Sequence, residues 1–382
     1  MEEITRRLLI IGVGSSACIH ILPRVLSRNP EVLFQNEIML IDTSSASLRA
    51  AVNQVTKAYQ EWHSKKMGVI PQKDKTFPVN LMKRKISDNA VLIGGEGGGA
   101  SPQNGLKIFE DNQDVVINKI DMLITESEID GIVVIGCSGK GTATLTAPTL
   151  VKIIFDTFGR TGVFPLGILT LPFRFRPSDN ANAKMSIDHI ADYQIPMILL
   201  DYECALHAYM YLEGKRPRGP TTRVVYECVS KMIGDVLSVI IEALNMADRC
   251  DPPIDWSDLM KMYNLAGKVG TFAYGYARSE DEVKKKWKSD IENTIMLKTK
   301  SMPEETAGIT ILRSEAGFPM ELTKTIGDYL RKSWKSPGHI IYELYTGGGY
   351  TIATVLFGFD PRDITPEVTP TSKGILHKLF GL

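Results

Sequence analysis

Residues 132–144 read Ile132-Val133-Val134-Ile135-Gly136-Cys137-Ser138-Gly139-Lys140-Gly141-Thr142-Ala143-Thr144. An unbroken apolar run bounded by glycine is typical of a buried parallel strand, and the apolar segment from Leu145 onward predicts a helix after the loop. Backbone N–H groups in such a loop, at the positive end of a helix, bind phosphate. We expect Ser138, Thr142 and Thr144 to add hydroxyl donors, so the segment predicts a phosphate-binding loop.

Two known glycine motifs are alternatives to this interpretation. The Walker A loop requires glycine where this chain has Val134, and Ser or Thr where it has Gly141, so that motif is excluded. Residues 12–17 fit the G-x-G-x-x-A fingerprint of dinucleotide-binding proteins. Asp42 ends the next predicted strand, although it comes later than the ribose-binding acid of that fingerprint.

A third glycine-rich segment separates these alternatives. Residues 94–102 read GGEGGGASP, follow the apolar run 91–93 and precede a helical pattern from Gln103. A dinucleotide-binding dehydrogenase needs one such loop, whereas this chain has three. Several loops at one sheet edge suit a nucleoside triphosphate that lies across the carboxyl ends of the strands.

The order of these motifs resembles the FtsZ/tubulin family of polymerising GTPases over residues 8–360. Residues 11–14, 42–44 and 97–102 match the family's first three loops, and residues 139–145 match its G-G-G-T-G-T-G motif. The resemblance implies GTP or GDP as ligand, with Mg²⁺. It assigns to nucleotide binding Gly12, Gly14, Ser15, Ser16, Thr43, Ser44, Gly97, Gly98, Gly99, Ser101, Ser138, Gly139, Lys140, Gly141, Thr142, Ala143, Thr144, Phe173, Asn180 and Tyr202.

The resemblance also implies an α/β fold with a Rossmann-like parallel sheet and a smaller α+β carboxyl-terminal domain. We predict a nucleotide-binding domain over residues 1–221, a central helix over 222–247 and a second domain over 248–360. The central helix carries an apolar pattern, so we expect it to be buried. Residues 361–382 begin with a segment rich in Pro and Thr, which predicts a flexible tail.

An acidic pair carries the predicted chemistry. Residues 253–258, Pro-Ile-Asp-Trp-Ser-Asp, match the family's N-x-D-F-A-D loop. By resemblance, Asp255 and Asp258 orient the water that attacks the GTP of the neighbouring subunit, in trans. The alternative is that Asp255 caps a helix starting at Trp256 and Asp258 stabilises its first turn. One residue can do both.

Departures from the family pattern concern the nucleotide pocket. Ser15, Lys140 and Ala143 are among the residues that replace family glycines, and any such position that needs a positive φ would be strained. Lys140 either points to solvent, which is usual for a single lysine, or pairs with a phosphate. Tyr202 stands where the family reads guanine, and it either stacks on a purine or fills a core edge. Ser44 stands where the family has an acid near the metal.

Composition excludes other classes of protein. The 382-residue chain has 44 basic and 44 acidic residues, so no net charge attracts nucleic acid or an anionic membrane. The lysine-rich segment from Lys57 to Lys85 is predicted to be a solvated loop and strand edge. Five scattered cysteines, no metal-type histidine spacing and no long apolar run favour a cytoplasmic protein without a transmembrane segment.

The last nine residues, 374–382, form an apolar cluster. They either bind an adaptor protein, as short terminal peptides do in this family, or fold back onto the domain.

Three functions remain open. The first is a cytoskeletal GTPase, with a role such as cell division, whose subunits assemble head-to-tail with one another into protofilaments. The second is a filament or scaffold protein of the same fold with a degenerate pocket and little or no turnover. The third, a remote alternative, is an NAD(P) oxidoreductase with a Rossmann fold.

Overall fold

The computed structural model describes residues 7–28, 36–66, 72–174, 176–214, 222–300, 303–336 and 338–364. Its strands in chain order are β1 (Arg7–Val13), β2 (Glu37–Ser44), β3 (Ala90–Gly95), β4 (Ile129–Cys137), β5 (Phe164–Leu171), β6 (Met197–Asp201), β7 (Cys250–Asp251), β8 (Val269–Ala277), β9 (Ala307–Arg313), β10 (Ile340–Leu344) and β11 (Tyr350–Phe359).

A π-helical turn over Ala17–Ile21 leads into the first helix. The α-helices of the described residues are α1 (Leu22–Arg28), α2 (Ser45–Lys66), α3 (Gln72–Asp88), α4 (Pro102–Glu110), α5 (Gln113–Ser127), α6 (Gly141–Phe158), α7 (Pro177–Tyr193), α8 (Tyr202–Glu213), α9 (Thr222–Asn245), α10 (Trp256–Ala266), α11 (Glu280–Asn293) and α12 (Met320–Ser333).

The strands form one mixed sheet in the order β3-β2-β1-β4-β5-β6-β8-β11-β9-β10-β7. The first six strands pair in parallel, as β-α-β connections require. A single register pair, Ile198 with Gly270, joins β6 to β8. Beyond it, β11 runs antiparallel to both β8 and β9. The predicted α/β fold with a mostly parallel sheet is confirmed, and the strands of the predicted second domain continue the same sheet.

The core lies on both faces of this sheet. On one face α9 packs against α1 and α8, and its residues from Val229 to Leu244 include a nearly continuous buried apolar stripe. On the other face α5, α6 and α7 cover the parallel strands, and α11 and α12 cover the mixed part. The prediction that the central helix is buried is therefore confirmed for these residues.

The loop before α10 is fixed to the parallel strands by one side chain. The indole of Trp256 is buried, and its Nε1 donates to the carbonyl oxygen of Phe164 at 2.7 Å. Its ring lies against Gly131, where a Cβ atom would come within 2.4 Å of the ring carbon Cδ2. Glycine is therefore required at this point of β4 because any side chain would displace the indole.

The prediction that the segment from Lys57 to Lys85 forms a loop and strand edge is wrong, since its described parts belong to α2 and α3. Pairs such as Lys57–Glu61, one helical turn apart, fit this helical geometry.

The first residues of the predicted tail are ordered into the fold: residues 361–363 form a short helical turn and Ile364 is buried. The predicted adaptor peptide, 374–382, lies outside the described residues.

Replacement of Gly131 by Ala tests the contact with the indole. We expect Gly131→Ala to lower the free energy of unfolding by about 2 kcal/mol, because the added methyl group overpacks a rigid site. Chemical denaturation measures this difference. Gly348→Ala is the matched control, since an added Cβ there meets nothing within 4 Å. Equal effects of the two substitutions would contradict the assigned contact.

A buried histidine gives a pH dependence. His339 Nε2 lies 2.8 Å from Thr310 Oγ1, its Nδ1 lies 3.2 Å from Ser336 Oγ, and burial lowers its pKa from 6.5 to about 3, with Arg331 adding to the shift. Between pH 6.5 and pH 3, His339 therefore binds a proton in the unfolded chain but not in the folded chain. The free energy of unfolding falls as the pH drops below 6.5. We expect a slope of about 1.4 kcal/mol per pH unit from this group.

Denaturation curves at pH 7.5, 6 and 5 measure the slope. In His339→Gln, which cannot take up this proton, the decline between pH 6 and pH 5 should be shallower than in the parent protein. Parallel declines would show that His339 does not cause the acid sensitivity.

Candidate nucleotide site

The predicted nucleotide residues all lie at the carboxyl edge of β1 to β6. We name the first loop (14–16, after β1), the second loop (43–44, the end of β2), the third loop (97–101, after β3) and the fourth loop (138–140, before α6). Gly14 N donates to the carbonyl oxygen of Ile41 at 2.8 Å, and Gly97 N donates to that of Thr43 at 2.9 Å. These bonds link the first three loops into one rim.

Four glycines in the named loops, Gly14, Gly97, Gly99 and Gly139, have backbone conformations that side chains rarely adopt. Gly14 has φ +77° and Gly139 has φ +92°. A Cβ at Gly139 would also lie 3.0 Å from the Cβ of Asp179. The chain therefore keeps glycine where the loop geometry demands it.

Residues that replace family glycines do not strain the backbone. Lys140 has φ −113°, and Ser15, Ala143 and Leu145 are helical. The backbone strain that these replacements would cause at a positive φ is absent, because none of the four residues has one.

The start of α6 is tightly enclosed by the third loop and α4. A Cβ at Gly105 in α4 would lie 2.3 Å from the carbonyl oxygen of Gly141, and a Cβ at Gly141 would lie 3.1 Å from the backbone nitrogen of Ala100. The backbones of two glycines thus meet directly. This close approach holds the third loop against the helix end that we predict to face phosphate.

Two of the three expected hydroxyl donors are engaged in bonds within the fold. Ser138 Oγ donates to the carbonyl oxygen of Thr170 at 2.8 Å, and Thr144 Oγ1 donates to that of Lys140. A hydroxyl has one hydrogen, so neither can donate to a ligand while these bonds hold. The third hydroxyl, Thr142 Oγ1, lies 2.8 Å from Thr43 Oγ1 and joins the second loop to α6.

Lys140 does not simply point to solvent, the alternative that is usual for a single lysine, because it pairs with Asp179. Its Nζ lies 2.9 and 2.8 Å from the two carboxylate oxygens of Asp179, and Arg176 Nη1 lies 3.4 Å from the same carboxylate. Asp179 is buried, whereas the Lys140 side chain is 48% exposed. One carboxylate therefore neutralises part of the positive charge beside the fourth loop.

The predicted base side of the site is filled by aromatic rings and paired charges. Tyr202 begins α8, is buried, and packs with Phe173 and Tyr226 at ring-centroid distances of 5.3 and 5.6 Å. Burial raises its pKa well above 10, and its hydroxyl lies 3.6 Å from Cys137 Sγ. This is the position of a residue that fills a core edge.

The charged groups beside this cluster are paired with one another. Arg174 contacts Asp201 at 2.6 Å and Glu203 at 3.1 Å. Asp201 Oδ1 also accepts from the backbone of α8 as its cap. These carboxylates are thus engaged within the fold, and neither is free to read guanine directly.

Two buried polar atoms near the rim find no hydrogen-bond partner among the described residues. They are Asp42 Oδ2 and Asn180 Oδ1. Asp42 Oδ1 accepts from Ser44 N at 2.9 Å, and burial raises the pKa of this carboxyl. Asn180 Nδ2 donates to the carbonyl oxygen of Arg174. A buried unsatisfied oxygen is unfavourable, which is consistent with a ligand or water in the complete site.

A dedicated metal cage is absent from the described residues, since no three His, Cys, Asp or Glu side chains group as ligands. Mg²⁺ commonly retains waters and binds phosphate with one or two carboxylates. The rim, with Asp42 at the end of β2, therefore fits Mg²⁺ only as an ion that arrives with phosphate.

The acidic pair lies at the opposite edge of the sheet. Asp255 Oδ1 accepts from Ser257 N at 2.5 Å and Asp258 Oδ2 accepts from Asp255 N at 3.0 Å, a reciprocal cap at the start of α10. Lys261 Nζ contacts Asp258 Oδ1 at 2.9 Å, and the Tyr342 hydroxyl bonds to Asp258. The helix-capping interpretation is confirmed, and the catalytic one stays a prediction.

Sequence reasoning missed two residues on α7, Asp179 and Asn182. Both face the fourth loop, and Asn182 also bonds to the third. Their spacing of three residues was the available signal, because in a helix such as α7 it puts them on one face.

Comparisons with known proteins support this architecture. No protein-family model matches the chain, and no curated protein matches it. Solved structures do: CetZ2 from Haloferax volcanii, titled as a GTPγS-bound protofilament, is 17% identical with a TM-score of 0.67, covering 98% of this chain and 97% of that one. CetZ1 from Haloferax volcanii, titled as a GDP-bound monomer, is 16% identical with a TM-score of 0.68, covering 98% of this chain and 98% of that one.

An empty FtsZ dimer from M. jannaschii is 13% identical with a TM-score of 0.65 and covers 97% of this chain and 95% of that one. The chain is thus an α/β protein with its glycine loops at one sheet edge. It has the fold of the FtsZ/tubulin superfamily, as the resemblance predicted. In the described ranges, no helix has the length and apolar character needed to cross a membrane.

Neutralising Asp179 tests the charge balance of the rim. We expect Asp179→Asn to raise the affinity for pyrophosphate roughly tenfold, because Lys140 and Arg176 lose their shared counter-charge. Calorimetric titration at two salt concentrations measures this, and the gain should shrink at high salt. Asp188→Asn, which removes an exposed partner of Lys184 on the same helix, is the control. Equal affinities in both variants would refute the assignment.

Proposed function

We propose that the chain is a cytoskeletal protein that assembles head-to-tail and hydrolyses a nucleoside triphosphate, GTP, at the contact between subunits. The first, third and fourth loops of one subunit hold the phosphates. Asp255 and Asp258 of the next subunit orient the attacking water.

One observation carries this proposal: the glycine loops and the acidic pair occupy opposite edges of the same parallel sheet. The fourth loop follows the carboxyl end of β4, while Trp256 fixes the acidic loop near the amino end of the same strand. A nine-residue strand spans about 30 Å. Within one subunit the two sets therefore cannot meet, whereas stacking copies head-to-tail brings them together and generates an open filament.

The compared structures support the same inference by analogy. One is titled as a GTPγS-bound protofilament and another as a GDP-bound monomer. The fold is shared over nearly the whole chain, so we extend nucleotide binding and longitudinal assembly to this protein as a proposal.

In this scheme each group of residues has a distinct role. Backbone N–H groups at the start of α6 bind phosphate oxygens, helped by the helix dipole. A Mg²⁺ ion bound with the phosphates would neutralise part of their charge. Asp255 and Asp258 accept hydrogen bonds from water and hold it for attack, and the contact with Lys261 holds the Asp258 side chain in place.

A second function, a filament or scaffold protein without turnover, is favoured by one feature. The aromatic cluster of Phe173, Tyr202 and the partly buried Tyr226 occupies the predicted base position. Against this, the positive-φ glycines of the phosphate loops are retained.

Phosphate release with GTP and with ATP, recorded together with light scattering across protein concentrations, separates the two functions. Under the first, turnover per subunit rises with scattering above a critical concentration. Scattering without turnover would establish the second. Absence of assembly under both nucleotides would remove the first.

The catalytic assignment is tested with Asp255→Asn and Asp258→Asn. Asparagine caps helices well, so the fold should persist. We expect each substitution to lower turnover by roughly 100-fold or more, because an amide is not a proton acceptor, while filaments remain. Full turnover in both variants would remove the acidic pair from the mechanism.

Mixing tests whether catalysis occurs in trans. Gly139→Val blocks the fourth loop and leaves the acidic pair intact, whereas Asp255→Asn does the reverse. In an equimolar mixture about a quarter of the head-to-tail contacts combine an intact loop with an intact acid, so turnover should return in part. No recovery, with both proteins folded and assembling, would contradict action between subunits.

A further inference from the structure

One amide side chain bonds to two loops of the candidate site. Asn182, in the second turn of α7, donates from Nδ2 to the carbonyl oxygen of Ala100 at 3.3 Å and to that of Gly139 at 3.1 Å. These residues belong to the third and fourth loops and lie 39 positions apart in the chain. The two hydrogens of a single amide group suit the two acceptors.

Both acceptors belong to residues in the left-handed region of backbone conformation. Gly139 has φ +92°, which glycine tolerates, but Ala100 has φ +60°, which is unfavourable for alanine because its Cβ crowds the backbone. Such a conformation persists only where surrounding contacts impose it. At Ala100 the contacts are the bond from Asn182 and the close packing of its backbone against Gly141.

The same face of α7 holds the fourth loop at a second point. Asp179, three residues before Asn182, pairs with Lys140. The fourth loop is thus fixed to α7 by an ion pair and a hydrogen bond, whereas Asn182 alone of these two residues also reaches the third loop. Loss of the Asn182 amide would remove one hydrogen bond from each loop and leave the ion pair in place.

We propose that Asn182 is a positioning residue that couples the third loop to the fourth, so that a ligand bound at one loop fixes the other. Its expected effect on nucleotide affinity rests on the proposed function. The coupling between the loops is independent of that function and can be measured in the protein without nucleotide.

Asn182→Asp is the informative substitution because it keeps the shape, removes both donors and places a negative charge beside two carbonyl oxygens. Asn182→Ala is a milder second variant. Asn293→Asp is the matched control, since Asn293 donates to a backbone carbonyl on the exposed end of α11, away from the site.

Backbone amide exchange, followed by mass spectrometry on the full chain, tests the coupling. In Asn182→Asp we expect exchange to rise roughly tenfold in peptides covering 97–101 and in those covering 138–141, since each loop loses one hydrogen bond. Asn182→Ala should show the same pattern to a smaller extent. A rise confined to one loop, or equal to that in Asn293→Asp, would overturn the proposal.

Nucleotide titrations and a second substitution distinguish positioning from general stability. Asn182→Asp should weaken GTP binding more than Asn293→Asp does at an equal melting temperature. Adding Ala100→Gly, which permits φ +60° without strain, should restore part of the protection in 97–101. No restoration would overturn the role assigned to Ala100. If the parent protein binds no nucleotide, the proposed function fails, and the exchange pattern still decides the coupling.

Discussion

The parallel direction of β1 to β6 is the constraint on which the rest of the structure depends. Because every carboxyl end falls on one edge, loops that are far apart in sequence meet there and bond to one another, as Gly97 does to Thr43 and Thr43 to Thr142. The site is therefore a property of the sheet and not of a single motif. This explains why several imperfect glycine motifs indicate the fold better than one motif that matches in full.

The same direction gives the molecule two chemically different ends. Trp256 anchors the acidic loop at the amino edge, and its fit against Gly131 and Phe164 leaves little freedom of position. The capping bonds between Asp255 and Asp258 then fix both carboxylates at the start of α10. A subunit with a phosphate-type rim at one end and fixed carboxylates at the other is suited to a head-to-tail contact. Capping and catalysis are compatible because each carboxylate has further lone pairs to accept bonds.

Apolar runs and glycine placement predicted the strands that precede the glycine loops, and the resemblance to a known family supplied the parallel sheet and the central helix. They failed where contacts join distant residues. The sequence around Lys140 does not indicate its ion pair with Asp179. Nor does it indicate that the Ser138 hydroxyl donates to the carbonyl oxygen of Thr170, on the neighbouring strand. The lysine-rich segment was misassigned for a different reason, because its charge pattern was interpreted without its helical i,i+4 pairs, such as Lys57 with Glu61.

The departures from the family pattern divide into two groups once their geometry is known. On the phosphate side, Lys140 and Ala143 replace glycines at positions with ordinary φ, so these changes leave the loops unstrained, while Gly14 and Gly139 keep the conformations that only glycine readily adopts. On the base side, Tyr202 is buried among aromatic rings and the nearby carboxylates are paired. Loss of all nucleotide binding would relax both sides alike. The unequal pattern is the one expected if, as we propose, phosphate binding is kept while recognition of the base differs.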